Sequence, residues 1–317
     1  MFKQLYIIGN GFDLHHGINS SYRDFREWIY ENNHDIIEEI DEVYGICNDE
    51  WWSDFENQLA SLDIIEYSSS IAFENQPDLL SEHCDRTWGD AQFEVEHQLR
   101  SLYNDIRVCL PNWISQLNPP LESRKIDLTT KEAVFINFNY TKTLENLYGI
   151  SPHKILHIHG CIDEDEDFIL GHGKSIDELN LIKTNYLESS SFYTDTDQEN
   201  VPELHEQFAI DATIDQLASQ RKPVEEIIKK HNRFFNSLTE ITNIFVYGLS
   251  MSEVDMPYLK HISSKVKSAK WEFSDYEGHN KERITKFCKD NNITNYNIIS
   301  LSDIVNPRQL KIPFSDL

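Results

Sequence analysis

No run of 18 apolar residues occurs in the 317-residue chain, so nothing in it is expected to span a bilayer. The start, Met1 to Ile8, runs straight into a glycine turn, with no long apolar region ahead of a small-residue cleavage site, so no secretory signal is read there. A cytoplasmic location is the resulting expectation. Cysteine is scarce: Cys47, Cys84, Cys109, Cys161 and Cys288 are odd in number, scattered, and form no C-x-x-C pair. That argues against a disulfide framework and against a zinc ribbon, and leaves reduced thiols. Positive charge is also short. With 28 Lys and Arg against 54 Asp and Glu the formal charge is −26, so the averaged surface repels nucleic acid and anionic membranes. A phosphate-bearing ligand therefore needs a local pocket of backbone amides or a helix end. There is no internal repeat and no low-complexity tract.

What the chain does contain is an ordinary globular composition, 39% hydrophobic and 12% aromatic, and enough length for one large α/β domain or two smaller ones. Short apolar runs at Leu5–Ile8, Ala133–Phe138, Lys154–Ile158, Ile244–Tyr247, Trp271–Ser274 and Tyr296–Ile299 read as strands. Helical patterns follow most of them. This alternation predicts a doubly wound, mostly parallel, Rossmann-like α/β sheet. From Tyr22 to about Leu117 the period is helical, with Val95, Leu99, Leu102 and Ile106 spaced three and four apart. The organisation read from this is a core of residues 1–20 and 121–317, with a helical insertion over 21–120. Pro111 is expected to break or kink the last helix of the insertion. Residues 188–223 are polar and weakly periodic, and read as a mobile loop within the core.

Candidate chemistry gathers at strand ends. Gly9-Asn10-Gly11-Phe12-Asp13 follows the first strand, where two glycines let backbone approach a pyrophosphate, though the third glycine of the dinucleotide fingerprint is missing and an ordinary strand-to-helix turn fits as well. Asn137-Phe138-Asn139-Tyr140-Thr141 closes the second strand; an Asn there orients a water or ribose hydroxyl, or caps the next helix. His157-Ile158-His159-Gly160 closes the third. Alternation puts His157 and His159 on one face, with Cys161 next in line, and His172 follows in Gly171-His172-Gly173. A set of this kind invites a metal, but Gly160 ends the strand before it is complete, and no metal is assigned. An unperturbed imidazole, with a pKa of about 6.5, suits His159 to proton transfer. Gly248-Leu249-Ser250 ends another strand and Asp275 the next, each a place for ribose or phosphate, or for a helix cap. The acidic run 163–167 lacks the Gly and Glu of an EF-hand loop and reads as a solvated loop.

Taken in order, Gly-Asn-Gly-Phe-Asp-Leu-His-His-Gly-Ile18 with Tyr22 and Phe25, Asn-Phe-Asn-Tyr-Thr-Lys-Thr-Leu-Glu145, Ile-Leu-His-Ile-His-Gly160, Ile-Leu-Gly-His-Gly173 and Tyr-Gly-Leu-Ser250 resemble the AbiH family of bacteriophage abortive-infection proteins. Trp52 and Glu56 carry the likeness through the helical insertion. That family is itself similar to sirtuin-like NADases. The resemblance implies NAD as substrate rather than cofactor, bound across the strand ends, with Asn139 and His159 catalytic. It implies contacts from Gly9, Asn10, Gly11, Asp13, Thr141, His172, Gly248, Ser250 and Asp275. Thr141 stands where sirtuins carry an Asp, and the paired-cysteine module is absent, which argues against a protein deacetylase. As an anti-phage NAD glycohydrolase the chain is expected to act as a homo-oligomer answering a phage-derived or defence-system protein trigger, without nucleic acid or membrane. A non-catalytic sensor holding NAD or ADP-ribose is the alternative, and a metal-dependent hydrolase at His157, His159 and His172 a third.

Overall fold

Apolar runs four to six residues long, bounded by turns, leave these strands nowhere to go but the interior of a two-sided sheet. The computed structural model describes residues 2–76, 88–163, 168–191 and 204–305. In chain order the elements are β1 (Gln4–Ile8), α1 (Asn10–His15), α2 (Tyr22–Asn32), α3 (His34–Tyr44), α4 (Asp49–Ser53), α5 (Phe55–Gln58), α6 (Ile64–Glu74), α7 (Asp90–Ile114), β2 (Ala133–Asn137) and α8 (Thr143–Tyr148). They continue with β3 (Ile155–His157), α9 (Ile176–Ser191), α10 (Leu204–Ser219), α11 (Val224–Lys230), α12 (Asn232–Asn236), β4 (Asn243–Tyr247), α13 (Met256–Lys265), β5 (Lys270–Ser274), α14 (Lys281–Asp290) and β6 (Tyr296–Ile299). None of these helices is long and apolar enough to cross a membrane.

The six strands form one sheet in the order β3-β2-β1-β4-β5-β6, and every pairing is parallel. That is the expected Rossmann-like order, and it reverses direction between β1 and β4. Alternation splits the strand side chains between two faces. Leu5, Ile7, Val134, Ile136, Val246, Trp271 and Phe273 enter one core, covered by Val224 and Ile227 of α11, Leu259 and Ile262 of α13, and Ile284 and Phe287 of α14. Tyr6, Ile8, Phe135 and Tyr247 enter the other, covered by Phe12 of α1, Leu144 of α8 and the segments carrying Ile126, Leu128 and Leu301. Each fully buried large apolar side chain contributes about 1.5–3 kcal/mol, so the two cores hold the strand ends in fixed register.

The chain divides into two compact units. The sheet unit comprises residues 1–24, 111–169 and 223–317; the helical unit comprises 25–110 and 170–222. In the helical unit Val95, Leu99, Leu102 and Ile106 are all buried, as their spacing predicts. Two expectations are corrected. Helix α7 passes through Pro111 and ends at Ile114. The ring removes one amide only three residues before the helix stops, and Ser115 still donates to the Pro111 carbonyl at 3.0 Å. The segment 188–223, read as a loop of the core, contains α10 over Leu204–Ser219 and belongs to the helical unit from 170 to 222. It packs on α6, where the Ser68 and Thr213 hydroxyls are 2.7 Å apart. Residues 192–203 of that segment, residues 164–167 of the acidic run, and Cys84 lie outside the described residues.

Candidate functional site

Register places the candidate residues relative to one another. His157, Asn137, Ile8 and Tyr247 are partners in a single row across β3, β2, β1 and β4. Asn139 and His159 each lie two residues beyond that row, on neighbouring strands. One further ladder step joins the tips: Phe138 N–H donates to Ile8 O at 2.9 Å, Ile158 N–H to Asn137 O at 3.0 Å, and Gly9 N–H to Tyr247 O at 2.9 Å. The sheet therefore brings Gly9, Asn139, His159 and Gly248 to one edge.

At that edge Asn139 is held from both ends. Its backbone N–H donates to Asn137 Oδ1 at 3.1 Å, and its Nδ2 donates to the Gly9 carbonyl at 3.1 Å. Asn139 is 6% exposed. Beside it Asp13 is fully buried, and its carboxylate accepts the Thr141 hydroxyl at 2.5 Å and the Thr143 hydroxyl at 2.6 Å. Burial pushes its pKa up from 3.8 to about 6, opposed by the hydrogen bonds from Thr141, Thr143 and Asn139. Thr143 was missed in the sequence, where only its spacing of two from Thr141 marks it. His159 is buried, its ring enclosed edge-on by Phe138 at 5.1 Å and tilted against Tyr258 at 5.6 Å.

The glycine turn packs backbone against backbone. Gly11 N–H donates to Gly248 O at 2.7 Å and Phe12 N–H to Gly9 O at 2.9 Å, so with Gly9 three amides of the turn are spent on backbone. A Cβ on Gly11 would lie 2.9 Å from Gly248 Cα; one on Gly248, where φ is +71°, would lie 2.0 Å from Phe12 N. These glycines let the β1 and β4 turns interlock. Asn10 is spent too: its Nδ2 donates to Ser20 O at 2.7 Å and its Oδ1 accepts the Ser20 hydroxyl at 2.6 Å. Ser250 is exposed at the tip of β4, and Asp275 at the tip of β5 accepts Asn280 N–H at 2.9 Å. Ser274 Oγ accepts Gly248 N–H at 2.7 Å, which ties those two tips together.

His172 is engaged at both ring nitrogens by backbone groups. It belongs to the helical unit, is fully buried, donates from Nε2 to Leu217 O at 2.8 Å, and accepts Lys174 N–H on Nδ1 at 3.1 Å. Burial lowers its pKa, which keeps the ring neutral in that role. Gly171 beside it has no room for a Cβ, which would lie 2.2 Å from Gln220 O. The Gly-His-Gly motif therefore zips residues 171–172 onto 220–222 and positions Lys222 inside the unit, where its ammonium meets both Glu56 oxygens at 2.9 Å.

A metal reading also meets the geometry. Ligand atoms of Glu145, His157 and Cys161 lie within 4.8 Å of one another, a trio different from the histidine set of the sequence. Both imidazole nitrogens of His157 are engaged, however. Asn137 accepts Asn139 N–H on Oδ1 and gives Nδ2 to Thr141 O at 3.2 Å, so it presents its NH2 to His157 Nδ1 at 3.3 Å. The ring proton is thereby placed on Nε2, which donates to Glu145 Oε1 at 2.8 Å. A cation on Nε2 would displace that proton and leave Nδ1 needing one opposite a donor. Glu145 and His157 form a hydrogen-bonded brace between β3 and α8 beside the buried Cys161 thiol.

The model of a protein family described as bacteriophage abortive infection AbiH matches residues 5–275. No curated protein and no solved structure matches the chain. Because the family match runs from β1 to the tip of β5 and takes in the Gly9 turn, Asn139, His159 and Gly248, the chain belongs to the AbiH family of bacteriophage abortive-infection proteins.

Proposed function

We propose that the chain is an abortive-infection effector that binds NAD at the carboxyl edge of its sheet and hydrolyses it to nicotinamide and ADP-ribose. The observation that supports this most directly is the reversal of strand order between β1 and β4, because ligands of open parallel sheets bind outside the strand ends at such a switch point. Asn139 and His159 extend past that edge on adjacent strands. Breaking the nicotinamide bond leaves an oxocarbenium-like ribose, so the protein needs to place a water and shield the cation rather than supply a strong nucleophile. In this reading Asn139 orients the water or the ribose hydroxyls, and His159 takes the water's proton as the hydroxyl joins the ribose and nicotinamide leaves with the bonding pair. Since the Gly9, Gly11 and Phe12 amides are occupied, Ser250 and Asp275 are assigned the ribose contacts, and the turn of β1 serves as the rigid floor beneath them.

The test follows NAD and nicotinamide by chromatography in phage-challenged cells expressing the wild type, Asn139→Ala or His159→Ala. The wild type should deplete NAD after infection and protect the culture, while both variants keep NAD high and lose protection. Protection by the wild type with NAD unchanged would remove the reading, and equal cleavage by all three would remove the site.

A second reading is favoured by the closed hydrogen-bond set around Asp13, which suits a rigid binder better than a centre of turnover. As a sensor the chain would hold NAD or ADP-ribose without cleaving it. Tight calorimetric binding with no nicotinamide released would decide for that reading.

A further inference from the structure

A cavity of about 390 Å³ opens on the face of the sheet occupied by Tyr6. The sheet contributes Tyr6, Phe245, Tyr247 and Glu272 to its lining, and Asp127 and Asp303 line it from segments outside the sheet. The volume falls near the lower end of the roughly 300–1,000 Å³ range of small-molecule sites. Tyr6 is the register partner of both Phe135 and Phe245, and the rings stack on each other at 5.0 and 4.6 Å. Their faces are used by one another, so the rings offer apolar surface rather than open π faces for a cation.

Acidic side chains alone mean little on a chain of net charge −26. Here three of them share one cavity with the aromatic side chains of Tyr6, Phe245 and Tyr247, and among the described residues no Lys or Arg lines it. Glu272 is fixed in place, because the Tyr247 hydroxyl donates to its Oε1 at 2.8 Å. Burial, with Glu272 adding to it, raises the pKa of both Tyr6 and Tyr247, so the phenols stay neutral and the negative charge resides on the carboxylates. A guest that satisfies the whole surface carries spaced positive charges on an apolar stem. A bare divalent ion meets the charge and wastes the apolar surface, and an anionic nucleotide is repelled.

We infer that this cavity binds a small aliphatic polyamine, its ammonium groups paired with Asp127, Glu272 and Asp303 and its methylene chain laid on Tyr6, Phe245 and Tyr247. The site uses none of the residues assigned to NAD, and its test reads binding rather than NAD consumption.

Titration calorimetry of the full chain with spermidine at about 0.15 M salt, where the screening length is roughly 8 Å, suppresses diffuse attraction to the acidic surface. The wild type should give saturable one-to-one binding. Asp127→Asn with Glu272→Gln, which keeps an acceptor for the Tyr247 hydroxyl, should weaken it at least tenfold. Asp35→Asn with Glu38→Gln, removing the same charge from exposed positions on α3, should leave it unchanged. Should the Glu272 variant lose its fold by circular dichroism, the exposed pair Asp127→Asn and Asp303→Asn carries the same tenfold criterion. Absence of saturable binding, equal weakening by the α3 control, or displacement of spermidine by Mg2+ at equal concentration would each overturn the inference.

Discussion

Each of the two units buries charge, and they do it by opposite means. In the helical unit Lys222, 1% exposed, is paired with both oxygens of Glu56, so each desolvated charge stabilises the other. In the sheet unit Asp13 is surrounded instead by neutral donors, the Thr141 and Thr143 hydroxyls and the Asn139 amide. Hydroxyls and amides only partly offset the lost hydration of a carboxylate, which is why Asp13 is pushed up to about 6. The helical unit thus carries a charge that fixes geometry, while the sheet edge carries one that titrates near neutral pH.

The largest effect should come from breaking the pair. Glu56→Ala strips the carboxylate from a buried ammonium and should lower unfolding stability in urea by about 3–5 kcal/mol. Replacing both residues, Glu56→Leu with Lys222→Met, should cost far less than the single change, because no buried charge is left uncompensated. If the single and double variants lose the same stability, leaving the Lys222 ammonium unpaired costs nothing extra and the contrast with Asp13 disappears.

Asp13 should show itself through pH. Its folded pKa of about 6 lies above the ordinary value of 3.8, so the folded protein holds this proton more tightly than the unfolded chain does. The resulting stabilisation is fully present below about pH 4 and is lost as pH rises through about 6. The shift is equivalent to about 3 kcal/mol. Asp13→Asn lacks the titration, so the stability of the wild type relative to that variant should fall by about this amount between pH 4 and pH 7, with other groups cancelling in the difference. A flat difference would mean the hydroxyls compensate burial in full.

The sheet could be read from the sequence because its strands are near-continuous apolar runs with one way to be buried. The gathering of Asn139, His159 and Gly248 at one edge followed from their positions just past strand ends. What the glycines do there was not readable. Gly11 meets Gly248 across more than 200 residues of chain, and a glycine that admits another backbone looks the same in sequence as one that admits a phosphate. Helix α10 was passed over although Ile210, Ile214 and Leu217 recur four and three apart on its buried side, because His205, Ala209, Ala212 and Thr213, small or polar, are buried with them and dilute the apolar period. The backbone partners of His172 were equally hidden, because sequence spacing does not announce that Leu217 and Lys174 meet its two ring nitrogens.

The smallest effect expected is also the most discriminating about the sheet edge. Thr143→Val keeps the branched shape and removes one hydroxyl donor from Asp13, so near neutral pH it should cost about 1.5 kcal/mol, the low end for a hydrogen bond to a charged group. The loss should shrink below about pH 4, where the carboxyl is protonated and the missing donor matters less. The midpoint of the Asp13 titration should also move upward, because one of the bonds holding it down is gone. Thr143 is also the first residue of α8, so a purely structural role predicts a different pattern, an equal cost at both pH values and no movement of the midpoint. Chemical denaturation of the variant and the wild type at pH 4 and pH 7 separates the two, and only the pH-dependent outcome leaves Asp13 as a charge balanced by hydroxyls rather than by a countercharge.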